Sequence, residues 1–154
     1  MNLELFASSY SIYRLPAIPS SRAAAFDQLL QATLKVAESE FLTFSRTPSE
    51  WSWIAPSSQG AAIRNLAAAL NVSEELKMES EYFCFCVAEE LDFNAIGIIA
   101  QLSQLFAQAE FPILTVSTFD TDYFLIGKDH WPGALILLEN NGYVVSRIDH
   151  NGRS

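Results

Sequence analysis

Residues 112–126 read PILTVSTFDTDYFLI and contain two short β-rich runs around a polar segment. Pro112 ends the helical pattern that precedes it, because proline cannot continue a helix. Ile113 to Ser117 and Tyr123 to Ile126 have the β-branched and aromatic residues of strands. Thr118 to Asp122 between them has the Asp and Thr content of a turn. The stretch therefore predicts a β-hairpin.

The residues on both sides of this hairpin predict a complete unit. Tyr82 to Val87 is a β-rich run, and apolar residues recur at helical spacing from Ala95 to Ala109, with Asn94 as the expected N-cap. After the hairpin, Asp129 to Gly142 predicts a helix that Asp129 caps, with proline in its first turn and Asn-Gly at its end. Tyr143 to Ile148 predicts the last strand. The order is βαββαβ, the ferredoxin-like arrangement.

The first half of the chain repeats this order. Residues 42–54 align without a gap on residues 114–126, 72 positions further along, and the alignment sets Glu50 opposite Asp122. The elements predicted for this half are a strand at Tyr10 to Leu15, a helix at Ala23 to Ala37, hairpin strands at Phe41 to Ser45 and Trp51 to Ile54, and a helix at Gly60 to Leu70.

The closing strand of the first unit has two candidates. Either one long strand is shared between the units, or Leu3 to Phe6 completes the first sheet. A unit of about 70 residues buries too little apolar surface to be secure alone. We therefore expect an α+β protein of two ferredoxin-like βαββαβ units, at residues 1–80 and 81–154, packed side by side through their sheets.

The composition limits the environment and the partners of the chain. It has 154 residues, of which 50% are hydrophobic and 18% charged, which excludes intrinsic disorder. The formal net charge of −9 disfavours binding to nucleic-acid phosphates and to anionic membranes. The sequence carries neither a basic, apolar signal peptide nor a stretch apolar enough to span a membrane. We expect a cytoplasmic protein with no nucleic-acid or membrane partner.

The residues that could carry metal or catalytic chemistry are few. Cys84 and Cys86 fall on one face of a strand, where two buried cysteines are the usual meaning. His130 and His150 do not have metal-ligand spacing. The chain has no phosphate-binding loop, dinucleotide fingerprint or nucleophile-elbow motif. We expect no metal, no cofactor and no enzymatic activity.

Four segments in order carry a resemblance to a known family. Leu91-Asp92-Phe93-Asn94-Ala95-Ile96-Gly97 opens a predicted helix, and the hairpin from Val116 to Ile126 follows it. Tyr10 to Pro16 and Phe44 to Glu50 hold the same places in the first half. Together they resemble the small tandem ACT-domain proteins of microbes. These are related to the animal cytosolic arginine sensors and, more distantly, to the regulatory ACT domains of aspartate kinases.

The resemblance implies a regulatory protein that binds a small molecule, most often an amino acid, at the interface of its two units without transforming it. It also implies a protein partner that senses the bound state, and it allows a homodimer. The ligand would lie against the loop after the first strand and against the hairpin. Carried over to this chain, the contact residues are Asp92, Phe93, Asn94, Ile96, Gly97, Ser117, Thr118, Phe119, Asp120, Thr121 and Asp122.

The residues themselves support such a site in two ways. A helix that begins at Asn94 to Gly97 supplies backbone N–H groups and a positive dipole end for a carboxylate. Asp120 and Asp122 can accept charge-assisted hydrogen bonds from an ammonium or a guanidinium group.

Each of these features also has a purely structural interpretation. Asp120-Thr121-Asp122 is typical turn chemistry, and Asn94 is typical of an N-cap. Trp51 and Trp53 share a strand face, which favours core packing over a ligand lid or a dimer contact. Two other functions remain as alternatives: an assembly module that uses open sheet edges, and an enzyme that uses the hairpin carboxylates for acid–base chemistry.

Overall fold

The computed structural model describes residues 1–17, 23–35, 40–88 and 97–148. The chain forms two compact units, which we call the N-terminal unit (Ser8–Glu81) and the C-terminal unit (Met1–Ala7 with Tyr82–Ser154). The elements, in chain order, are β1 (Asn2–Pro16), α1 (Ala23–Thr33), β2 (Thr43–Arg46), β3 (Glu50–Pro56), a 3-10 turn (Ser57–Gln59), α2 (Gly60–Ala69), β4 (Lys77–Val87), α3 (Ile98–Gln108), β5 (Ile113–Ser117), β6 (Asp122–Gly127), α4 (Trp131–Asn140) and β7 (Val144–Arg147).

Two long strands, β1 and β4, each contribute to both units. Strand β4 runs without a break from Lys77 to Val87, so the shared long strand is the correct one of the two predicted closing strands. The alternative, Leu3 to Phe6 in the first sheet, is wrong. Asn2 to Leu5 pair in parallel with β7 of the C-terminal unit, from Asn2 with Val144 to Leu5 with Arg147. The bounds of the compact units therefore differ from the predicted division, 1–80 and 81–154, in the first seven residues and in Glu81.

The N-terminal unit has the strand order β2-β3-β1-β4. Strand β3 pairs antiparallel with β1, from Tyr10 with Pro56 to Pro16 with Glu50, and antiparallel with β2. Its core joins one face of these strands to α1 and α2. Trp53 is 2% exposed and stacks on Tyr13, with ring centroids 5.1 Å apart, so the predicted core role of Trp53 is confirmed. The residues of this core are Tyr13, Leu15, Phe26, Leu29, Trp53, Ala55, Ile63, Ala67 and Val72.

The C-terminal unit has the strand order β5-β6-β4-β1-β7. Strand β6 pairs antiparallel with β4 and with β5, and the core lies between these strands, β1 and the helices α3 and α4. Cys84 and Cys86 are both buried, which confirms their predicted place in the core. The core residues are Leu3, Leu5, Phe85, Val87, Leu102, Phe106, Phe124, Ile126, Trp131, Ala134 and Leu138.

The internal repeat is present, but its predicted alignment is wrong by one residue. The last pair of the first hairpin is Arg46 with Trp51, and the last pair of the second is Ser117 with Asp122. Equivalent positions are therefore 71 residues apart, and Asp122 corresponds to Trp51 instead of Glu50. Burial agrees, because the buried runs of the two returning strands, residues 53–56 and 124–126, begin 71 residues apart. A shift of one residue in a strand exchanges its two faces, so the correction matters for the site.

Two predicted helix caps are also wrong. Helix α3 begins at Ile98 with Gly97 as its N-cap, so Asn94 does not cap it. Helix α4 begins at Trp131 with His130 as its N-cap, so Asp129 does not cap that helix. Neither cap residue makes a side-chain hydrogen bond to its helix. Gly97, at the start of α3, has a left-handed backbone conformation. In the described ranges, no helix has the length and apolar character required to cross a membrane.

Candidate functional site

The hairpin end of the C-terminal unit brings together Ser117 and the residues up to Asp122. Ser117 Oγ donates a hydrogen bond of 2.6 Å to Asp122 Oδ1, across the last residue pair of β5 and β6. Thr118 closes the turn, because its backbone N–H and its Oγ1 both donate to the Thr121 carbonyl at 3.0 Å. The hydrogen bonds at Thr118, Thr121 and Asp122 therefore belong to turn structure.

The side chains at the tip of this turn face outwards. Phe119 is 80% exposed, and Asp120 is also exposed. Asp122 is half-buried, and Thr121 Oγ1 donates to the Val87 carbonyl at 3.4 Å, which ties the turn to the end of β4. The Asp122 carboxylate is thus held by an exposed hydrogen bond from Ser117 on a half-buried residue, whereas Asp120 is exposed.

Four of the predicted loop residues, Asp92, Phe93, Asn94 and Ile96, lie outside the described residues. The fifth, Gly97, has a φ of 92°, in the left-handed region that favours glycine. Its carbonyl accepts the first backbone bond of α3, from the N–H of Gln101 at 2.8 Å. Gly97 therefore has a structural role at the helix start, and the predicted helix terminus at Asn94 to Gly97 is displaced to Ile98.

The hairpin end of the N-terminal unit has the same turn with different chemistry. Thr47 closes it as Thr118 does: the Thr47 N–H donates to the Glu50 carbonyl at 2.8 Å, and Thr47 Oγ1 accepts from the Glu50 N–H at 3.1 Å. The terminal pair is Arg46 and Trp51, with the guanidinium carbon 4.7 Å from the ring centroid. A cation–π contact here takes the place of the Ser117–Asp122 hydrogen bond.

A cleft of about 760 Å³ opens beside this hairpin end. Phe26 of α1 stacks on Trp51 in its wall, with ring centroids 3.9 Å apart and ring planes inclined by 29°. Among the described residues, Arg46 and Asp27 are the charged residues that line it. Sequence reasoning missed this cleft because it located the site in the second hairpin. An alignment of the repeat with an offset of 71 residues would have pointed to the cleft, because it pairs Arg46 with Ser117 and Trp51 with Asp122. The described residues that line the cleft are Ala17, Ala23, Phe26, Asp27, Arg46, Thr47, Pro48 and Trp51.

Metal binding finds no support in the described part of the chain, where no three His, Cys, Asp or Glu side chains are grouped as a metal site requires. Burial raises the pKa of the Cys84 thiol well above its usual value, and the neighbouring Cys86 raises it further. A thiol held in its neutral form is a poor nucleophile and a poor metal ligand. Cys84 is therefore a structural residue.

Comparison with known proteins agrees with this architecture. Residues 78–140 match the family model of the ACT domain. That segment holds α3, both strands of the second hairpin and α4. Residues 78–140 thus match an ACT domain, as predicted, and the mixed fold of helices on antiparallel strands is the predicted one. No curated protein matches the chain.

Several solved structures share the fold at low sequence identity. A protein from Agobacterium tumefaciens has a TM-score of 0.69 at 20% identity, over 99% of this chain and 97% of that one. The ligand-free regulatory subunit of aspartate kinase from Thermus thermophilus has a TM-score of 0.65 at 11% identity, over 90% and 95% of the two chains. Aspartate kinase from Synechocystis has a TM-score of 0.66 at 15% identity, over 99% of this chain and 28% of the enzyme.

Proposed function

We propose that this protein binds a small molecule, an amino acid or a close analogue, at the hairpin end of its C-terminal unit and acts as a regulatory sensor. The observation that carries the proposal is the Asp122 carboxylate, held by an exposed 2.6 Å hydrogen bond from Ser117 within the segment that matches the ACT family. A carboxylate fixed in this way offers an ammonium group an acceptor that is already oriented.

Complementary groups for the ligand carboxylate come from the start of α3. The first N–H groups of a helix lack intrahelical partners, and the dipole favours an anion there. Gly97 begins this helix without a side-chain cap. In this proposal Asp92, Phe93, Asn94 and Ile96 complete the loop side of the site. Ser117, Thr118, Phe119, Asp120 and Thr121 form the hairpin side with Asp122.

A regulatory role without catalysis is the second part of the proposal. The solved relative from Thermus thermophilus is described as the regulatory subunit of aspartate kinase, and it is similar over nearly its whole length. Binding would shift the population of one conformation by no more than the ligand's differential affinity for it. A partner protein or a second copy of the chain in the cytoplasm would then respond to that conformation.

A thermal-shift screen against the twenty amino acids tests ligand binding directly. A ligand at a hundred times its Kd stabilises the folded state by about 2.7 kcal/mol, which raises the Tm of a protein this size by several degrees. Asp122→Asn keeps an acceptor for Ser117 but removes the charge. We expect it to weaken binding by at least about tenfold, or roughly 1.4 kcal/mol.

Glu139→Gln is the matched control, because it removes an exposed carboxylate from α4 of the same unit. If Asp122→Asn and Glu139→Gln weaken amino-acid binding equally, the change in net charge explains the effect. That result would contradict a ligand contact at Asp122. The absence of any shift with the wild-type protein would contradict small-molecule sensing.

An assembly module is the second candidate function, favoured by the edge strand β5. It ends the strand order of its unit, and Leu114 on it is 43% exposed. Exposed edges with apolar side chains can pair with another chain. This alternative predicts self-association that depends on concentration and is indifferent to amino acids, measured by light scattering after size-exclusion chromatography.

A further inference from the structure

We propose that Met78 is a site of reversible oxidation, at which hydrogen peroxide converts its thioether to a sulfoxide whose oxygen accepts hydrogen bonds from Tyr13 and Arg64. The site lies within the N-terminal unit, beside Gly60 at the start of α2. It uses none of the residues assigned to the amino-acid site above, so this inference and the proposed function can fail separately.

Gly60 leaves a small space that three side chains border. A Cβ atom built there would lie near Tyr13 Oη, Arg64 Nη1 and Met78 Sδ, at 3.5, 3.5 and 3.7 Å. These are ordinary van der Waals contacts, and the backbone of Gly60 is helical, with a φ of −56° and a ψ of −41°. Neither a clash nor a positive φ requires glycine here, although alanine is the better helix residue. What glycine provides is the space itself, which we call the Gly60 niche.

The buried hydroxyl of Tyr13 borders this niche with a proton to donate. Tyr13 is fully buried, and its Oη has no hydrogen-bond partner among the described residues. The neighbouring Ser11 is engaged elsewhere, because its Oγ shares a hydrogen bond of 2.9 Å with Ser57 Oγ. Burial raises the pKa of Tyr13, so the hydroxyl keeps its proton. A buried donor without an acceptor costs free energy, and an oxygen atom in the niche would remove that cost.

Arg64 supplies the second donor and already contacts the sulfur. Its Nη1 donates to Met78 Sδ at 3.4 Å, and its side chain is exposed, so it can shift to meet a new acceptor. A thioether sulfur is a weak acceptor, whereas a sulfoxide is polar and its oxygen is a much better one. Met78 itself is half-buried against the core of its unit, which leaves part of the side chain open to a small oxidant.

The chemistry balances with hydrogen peroxide as the co-reactant. A sulfur lone pair of Met78 attacks one peroxide oxygen, so that an S–O bond forms and the O–O bond breaks. The departing oxygen takes the proton of the transferred oxygen and leaves as water, and the peroxide is reduced as the sulfur is oxidised. A methionine sulfoxide reductase reverses the step. In that reaction a pair of thiols is oxidised to a disulfide, and the sulfoxide oxygen leaves as water.

The two donors distinguish Met78 from an ordinary packed methionine. Oxidation usually disrupts a core, because the sulfoxide brings a polar group into an apolar environment. At Met78 the new oxygen would meet Tyr13 and Arg64, so the oxidised chain keeps its fold. The sulfoxide would also connect β4 to β1 and α2 through stronger hydrogen bonds than the thioether makes. Met78 therefore has the properties of a reversible redox position and not of a site of damage.

Peroxide treatment of the full chain, followed by peptide-mapping mass spectrometry, tests the proposal. Met1 and Met78 are the two methionines of the chain, so Met1, which is 43% exposed, is the internal control. A sulfoxide is chiral, and a separate reductase acts on each of its epimers, so treatment with each enzyme counts them. We expect one Met78 epimer in at least about fivefold excess, a ratio that one net hydrogen bond can produce, and a nearly equal mixture at Met1.

Thermal denaturation measures what the niche contributes. We expect oxidation to lower the Tm of the wild-type protein by less than about 2 °C and that of Tyr13→Phe by about 3–8 °C, because the buried oxygen loses a partner. Each protein is compared with its own reduced form, so the cost of the substitution cancels. Gly60→Ala fills the niche without a clash and should respond like Tyr13→Phe, whereas Gly127→Ala, in the other unit, should respond like the wild type. Adding Met78→Leu to Tyr13→Phe should abolish the fall in Tm.

The proposal is overturned if Met78 remains a thioether under conditions that fully oxidise Met1, or if its two epimers form in equal amounts. It is equally overturned if oxidation lowers the Tm of the wild type as much as that of Tyr13→Phe, or if Gly60→Ala responds like Gly127→Ala. A fall in Tm that persists after Met78→Leu is added to Tyr13→Phe would place the oxidation elsewhere and refute Met78 as the site.

Discussion

The guanidinium of Arg46 lies 4.7 Å from the ring centroid of Trp51, and this pair occupies the same hairpin position as Ser117 and Asp122. The two units thus close the same four-residue turn with different terminal pairs. One pair is joined by a hydrogen bond and the other by a cation–π contact. The turn is therefore the constant part of the repeat, and the terminal pair is the part that differs between the two units.

The stack of Phe26 on Trp51 should be a major contribution to the stability of the N-terminal unit. Phe26 is 4% exposed, and Phe26→Ala removes its ring from the core at an expected cost of about 3–5 kcal/mol. Urea denaturation followed by circular dichroism measures the free energy of unfolding. Phe119→Ala, at a phenylalanine that is 80% exposed, is the control and should change it by less than about 0.5 kcal/mol. A similar loss of unfolding free energy in Phe26→Ala and Phe119→Ala would show that the stack of Phe26 on Trp51 contributes little to stability.

The buried hydroxyl of Tyr10 should stabilise the connection that leads into β2. Tyr10 Oη donates to Glu40 Oε2 at 2.7 Å and accepts from the Phe41 N–H at 3.2 Å. Tyr10→Phe leaves that N–H buried without this acceptor, and we expect a loss of about 1–3 kcal/mol in the free energy of unfolding. Tyr143→Phe, at a half-buried tyrosine of the other unit, is the comparison and should cost less. A larger loss for Tyr143→Phe than for Tyr10→Phe would contradict a structural role for the hydrogen bonds of Tyr10 with Glu40 and Phe41.

The order of elements was predictable because it depends on hydrophobic periodicity and on turn residues. The runs at Tyr82 to Val87 and Ile113 to Ser117 are strands, and the Asn141-Gly142 end of α4 is confirmed by a φ of 82° at Gly142. These signals are local, and local signals are what a sequence displays most directly.

The register of the repeat was not predictable from identities alone. Threonines recur at 43 and 115, which favours an offset of 72, but the turns begin at Thr47 and Thr118 and impose 71. The start of α3 was missed because a glycine with positive φ begins it without a side-chain cap. The cleft was missed because its wall depends on a contact between Phe26 and Trp51, far apart in the chain.

The free energy of unfolding should fall as the pH rises above about 9. Burial raises the pKa of the Cys84 thiol well above its usual 9.0, so the unfolded chain loses that proton first. The unfolded state then binds fewer protons than the folded state, and stability decreases with pH from 9.0 upwards through the raised value. Denaturation at pH 7, 9 and 10 should show this decline. In Cys84→Ala the free energy of unfolding should decrease less steeply with pH just above 9.0. Burial also raises the pKa of Tyr13, which adds a similar decrease above pH 10.0 in both proteins. A slope unchanged by Cys84→Ala would contradict the assignment.

Gly97→Ala should destabilise the protein through backbone conformation alone. Among the described residues, a Cβ atom at Gly97 meets Gln101 Nε2 at 4.0 Å, which is an ordinary contact, but the φ of 92° disfavours any L side chain. We expect a cost of about 1–2 kcal/mol in the free energy of unfolding, since the left-handed region penalises a Cβ by that amount. Gly127→Ala is the matched control, because its Cβ would make an ordinary contact of 3.7 Å with His130 at a φ outside that region. If Gly97→Ala is as well tolerated as Gly127→Ala, then the start of α3 can be built without glycine. In that case Gly97→Ala becomes a folded variant in which ligand binding to the α3 end of the proposed site can be measured directly.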